Sequence, residues 1–132
     1  MTHPKDRWLL RVREDLQSAR VLLKEGIFSQ VCFHAQQAVE KSLKAVFAHK
    51  DMEHPRTHSL RDLSDRVAEL AGLSLSGFEK EIRFLDQFYV PTRYPDAPVG
   101  SLPEGTPTRP QALRALTAAE SVCLLVERHL SR

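Results

Sequence analysis

The chain has 132 residues, 42% of them hydrophobic, the size and apolar content expected of one domain with one core. Its 19 basic and 17 acidic residues leave a formal charge of +2, which excludes a general polyphosphate binder and confines any nucleic-acid site to a local patch. No apolar run nears the roughly 20 residues that cross a bilayer, the start MTHPKDRW lacks a signal-peptide core, and Cys32 and Cys123 lie in apolar segments without CxxC spacing. These features predict a soluble, cytoplasmic protein with buried thiols, no membrane attachment and no cofactor.

Residues 4–24 place Trp8, Val12, Leu16, Ala19 and Leu23 at steps of three and four, the spacing of one helical face, and Gly26 offers a stop. The longest helix is expected over 27–50, where Val31, Ala35, Ala38, Val39, Leu43, Val46 and Phe47 form a broad apolar arc. After a polar stretch containing Pro55, the run SLRD from Ser59 has a serine followed three residues later by an acid, a helix-start signal for a third helix over 59–71. Gly72 interrupts, and Phe78, Ile82, Leu85 and Tyr89 predict a fourth over 76–89. Residues 90–110 hold six prolines and two glycines and can sustain neither helix nor central strand. Pro110 suits the first turn of a last helix carrying Ala112, Leu116, Ala119, Cys123, Val126 and Leu130. The fold expected is all-α, an up-and-down bundle of about five helices whose simplicity is broken by a long Pro-rich loop before the last.

On the central helix His34, Gln37 and Lys41 form one polar stripe beside Glu40 and Lys44. The stripe could line a groove; the plainer alternative is a solvated face on which Glu40 and Lys44 make an ordinary ion pair of about 0.3–0.5 kcal/mol. Phe33 projects to the same side, which suits either a dimer interface or cover by a neighbouring helix. His49, His54 and His58 are close in sequence, but a Pro-containing loop does not make them converge as zinc ligands, so no metal is expected. His58 differs in standing at a helix start, where backbone donors collect and anions bind. In TRYPD, Arg93 can grip a phosphate, Tyr94 can stack on a base and Asp96 can accept from a sugar or from an arginine; the alternative is a proline-stiffened turn in which Arg93 pairs with Asp96. No GxSxG, Walker, GxGxxG or HExxH pattern is present.

The segments DLQSARVLLKEG, FSQVCFHAQQAVEKSLKAVFA, PRTHSLRDL and TRYPD, in this order, resemble the HEPN family over about residues 8–130. The resemblance implies a five-helix, commonly dimeric bundle with an intersubunit groove formed by the central and last helices. It also implies a partnership with a minimal nucleotidyltransferase, sometimes as a toxin–antitoxin pair, and either nucleotide binding or metal-free cleavage of RNA. Ribonuclease members carry an arginine followed after four to six residues by a histidine. Here Arg93 is followed by YPDAPVG without one, and Arg56 and His58 stand too close together. Three functions follow from this. In the first, a homodimeric nucleotide- or RNA-binding module uses Lys41, Lys44 and Arg93 on phosphate, His58 or Tyr94 on base or sugar, and His34 with Gln37 along the groove. In the second, a ribonuclease toxin uses Arg93 with His58 or His34 as base. The third is a purely structural interaction domain.

Overall fold

The computed structural model describes residues 3–89 and 106–131, and among these five helices and no strand are formed. Helix α1 (Pro4–Glu25) begins with Pro4, whose fixed φ suits a first turn, while His3 Nδ1 accepts from the Lys5 amide at 3.1 Å. It ends at Gly26, whose φ of 77° is left-handed, so the chain reverses there into α2 (Phe28–His49). The hairpin is antiparallel: Lys5 Nζ meets His49 Nδ1 at 3.3 Å at its far end.

Residues 50–58 double back along α2, and Ser59 then caps α3 (Leu60–Ala71) by accepting from the Asp62 amide at 3.1 Å. Helix α4 (Glu79–Asp86) is shorter than the expected 76–89. Gly77 sits at φ 94° in a turn closed by the Phe78 amide on the Leu75 carbonyl, so the helix starts late, and residues 87–89 leave it as a turn. Helix α5 (Arg109–Leu130) has Pro110 in its first turn, and the Gln111 side chain accepts from the Thr108 amide at 2.6 Å.

The apolar arc of α2 is the middle of the core: Val31, Ala35, Ala38, Val39, Leu43 and Val46 are buried against α1 on one side and α5 on the other. Ala112, Ala115, Ala118 and Ala119 let α5 approach closely. Two exposed ion pairs, Arg13–Glu127 at 3.1 Å and Arg20–Glu120 at 2.9 Å, show that α5 runs antiparallel to α1. It therefore runs in the same direction as α2, and Arg109 lies 5.1 Å from the ring centroid of Phe28 where the two begin. The long segment before α5 is where strict alternation ends. Both cysteines are free and buried, and burial pushes each thiol up to about 12, as the apolar setting of Cys32 and Cys123 led us to expect.

Candidate functional site

The polar stripe of α2 converges on two carboxylates. Glu40, only 4% exposed, accepts from Lys44 Nζ at 3.0 Å and lies 3.1 and 3.3 Å from His58 Nδ1. Gln36 and Gln37 reach its other oxygen with their side-chain amides at 3.5 and 3.4 Å. Gln37 also donates to the Gln36 side-chain oxygen at 2.8 Å, and Gln36 donates to the His58 carbonyl at 3.2 Å, which ties the residue before the α3 cap to the middle of α2. The second carboxylate, Asp15 of α1, meets His34 Nδ1 at 2.8 Å and accepts from Lys41 Nζ at 2.7 Å.

This geometry corrects the solvated-face reading of Glu40 and Lys44, because both side chains are inside, at 5% and 8% exposure. The ammonium of Lys44, expected on a phosphate, is directed to Glu40. Lys41 is likewise committed, to Asp15, although about a quarter of its side chain remains exposed. His34 and Lys41 belong to the Asp15 cluster, and Gln37, Lys44 and His58 to the Glu40 cluster. Phe33 is half-buried and meets His34 edge-on at 5.5 Å.

The anion expected at the start of α3 is the protein's own. Asp86, at the end of α4, accepts from the Leu60 amide at 2.8 Å and the Arg61 amide at 3.3 Å, so these helix-end donors are taken by a carboxylate from within the fold. His58 is exposed beside this junction and stacks on Tyr89, with ring centroids 4.2 Å apart and planes within 15°. With Nδ1 on Glu40, the opposite nitrogen Nε2 is turned away from the carboxylate. An imidazole held in this way can accept a proton or a hydrogen bond at Nε2 while the carboxylate fixes its orientation.

The three histidines that follow one another in sequence separate in space. His49 turns to Lys5, His54 packs edge-on to Trp8 and His58 faces Glu40. Among the described residues no group of three or more His, Cys, Asp or Glu could hold a metal ion. Arg93, Tyr94 and Asp96 lie outside the described residues; in sequence, Arg93 follows Tyr89 by four positions. Asp15 is the residue of this network that the reading of spacing passed over, whereas Glu40 was read there only as the ion-pair partner of Lys44. The signal for Asp15 was present: it falls three residues after Val12 and four before Ala19, on the apolar face of α1, where a charge needs a partner.

The described residues form an all-α, five-helix domain with a polar network along its central helix. The model of the HEPN domain matches residues 6–129, and the chain belongs to this family. It is 30% identical over 128 residues to a Methanocaldococcus jannaschii protein named as a candidate toxin, MJ1304, covering 91% of this chain and 84% of that one. The crystal structure of TT1696 from Thermus thermophilus superposes with a TM-score of 0.81 at 30% identity, covering 97% of this chain and 99% of that chain. ST0689, an archaeal HEPN homologue, gives a TM-score of 0.74 at 26% identity over 98% and 99% of the two chains. Among the described residues no helix is long and apolar enough to cross a membrane.

Proposed function

We propose that the protein is a toxin-type HEPN module that binds nucleotide or RNA on the His58 side of the bundle, acting as a homodimer beside a minimal nucleotidyltransferase. The observation that carries this reading is the placement of His58, clamped between the buried carboxylate of Glu40 and the ring of Tyr89 with Nε2 turned outward. An exposed imidazole stacked on an aromatic ring offers a base or ribose both a hydrogen-bonding edge and a π-face. Arg93, four residues beyond Tyr89 in sequence, supplies the phosphate contact and Tyr94 a further stacking surface. Kinship with a protein named as a candidate toxin supports the toxin type.

The test is binding of labelled single-stranded RNA to the wild type and to His58→Ala and Arg93→Ala, followed by fluorescence anisotropy. Each substitution is expected to weaken binding at least tenfold; unchanged affinity in both variants would refute the assignment.

The same imidazole–carboxylate pair favours a second reading, metal-independent cleavage of RNA. His58 Nε2 would take the proton of a ribose 2′-hydroxyl and the 2′-oxygen would attack the adjacent phosphorus. The 5′-oxygen would leave with a proton from a second donor, giving a cyclic phosphate and a 5′-hydroxyl end. Incubation with RNA in excess chelator separates the two readings: cleavage that disappears in His58→Ala establishes the enzyme, and intact RNA leaves the binding module.

A further inference from the structure

Beside the Glu40 network, on the side of the segment that doubles back from α2, lies a cleft of about 510 Å³ that no role has yet been given. Trp8 and His54 form an aromatic corner in its wall, their rings perpendicular with centroids 5.5 Å apart. Lys44 lines the cleft as well as pairing with Glu40, so the cleft and the His58 site share a residue. Arg56, exposed and two positions before His58, stands at the same cleft. Glu53 and Asp51 add exposed carboxylates, and Met52 and Ala48 add apolar surface.

We propose that this cleft is a base subsite, in which an amine-bearing nucleobase of the adenine type packs against Trp8 while its phosphate lies on Arg56 towards His58. The chemistry of the lining separates along the cleft. An aromatic corner with a methionine takes the flat face of a base, a carboxylate on the rim accepts from an exocyclic amine, and a guanidinium matches a phosphate better than any other side chain. Arg56 stands at the cleft two positions before His58, so a phosphate held by Arg56 lies on the chain segment that leads to the imidazole. The inference rests on the proposed nucleotide or RNA binding and deepens it by naming where a base goes. A free nucleotide and a nucleotide within a strand offer the same chemistry to the cleft.

Trp8 is the only tryptophan, so tryptophan emission arises from the wall of this cleft. The experiment titrates the full chain with oligoadenylate, with adenosine monophosphate and with an abasic ribose-phosphate oligomer while Trp8 fluorescence is read. In parallel, anisotropy follows labelled oligoadenylate and a labelled mixed-sequence RNA. Saturable quenching by oligoadenylate or by the mononucleotide, without quenching by the abasic oligomer, is expected; quenching by the mononucleotide as well assigns a free nucleotide, and by the oligomer alone a strand. Trp8→Leu should weaken oligoadenylate binding about tenfold. Arg56→Ala, an exposed position that leaves the fold and the fluorophore in place, should weaken it severalfold. If RNA binds in the anisotropy assay while Trp8 emission stays constant and Arg56→Ala binds as well as the wild type, the subsite is wrong and RNA binding stands. If neither labelled RNA binds and the mononucleotide leaves the emission unchanged, both fail together.

Discussion

Glu40 has more partners than an ion pair needs: Lys44, His58 and two glutamine amides all address one carboxylate that is almost without solvent. A buried charge is tolerated when it is paired and its lone pairs are used, and removing one partner strands the other. Glu40→Ala is therefore expected to cost about 3 kcal/mol, because the Lys44 ammonium would stay buried without an anion. In a thermal melt this lowers Tm by roughly 10 °C. Replacing both residues, Glu40→Met with Lys44→Met, should recover most of that stability while leaving His58 without its carboxylate, so the double variant should fold and lose the proposed RNA binding. A double variant as unstable as the single one would show that the pair itself holds the bundle together. The sequence displayed the stripe of His34, Gln37, Lys41 and Lys44 and the local Glu40–Lys44 pair, but not Asp15 or His58 as partners. Helical spacing tells which side chains share a face, whereas what covers that face depends on the path of residues 50–58 and on α1, neither of which is written in the spacing of α2.

At the scale of elements, one carboxylate ties the end of α4 to the start of α3. Asp86 accepts from two amides at the start of α3 and lies 3.4 Å from the Ser59 hydroxyl, doing from the end of another helix what a capping side chain does locally. Asp86→Ala is expected to cost about 1–2 kcal/mol in urea unfolding. Ser59→Ala should cost less, because Asp86 continues to serve neighbouring donors; equal losses would mean that the cap is purely local. The Ser59 cap was legible from SLRD because caps are local chemistry, and so were Gly26 and Gly72 as helix ends, both at positive φ. The role of Asp86 was not, since it joins residues 25 and 26 positions apart. For the same reason α4 was overestimated: periodicity continues through Phe78 and Tyr89, while the turns that trim the helix depend on Gly77 and on the packing of Phe88 in the core.

On the scale of the whole molecule, five helices and their core faces followed from periodicity, whereas strict alternation would have reversed the direction of α5. Its outer face, with that of α1, leaves Leu10, Val21, Leu113 and Leu124 about half exposed, and Leu124 lines a groove of about 840 Å³ rimmed by both signs of charge. Such a surface can meet a copy of itself. If the proposed homodimer uses it, Leu124→Glu should yield a monomer by size-exclusion chromatography with light scattering, with little change in melting temperature because Leu124 is already 47% exposed; a variant that remains dimeric would place the interface elsewhere. The pairing of α5 with α1 joins residues 100 and 114 positions apart, whereas α1 and α2 meet across a single tight turn. During synthesis the hairpin can form as soon as α2 emerges, but the surface of α2 that packs on α5 must wait for that helix to arrive. Until then the nascent chain presents an unfinished apolar seam, and the bundle can close only after its fifth helix has left the ribosome.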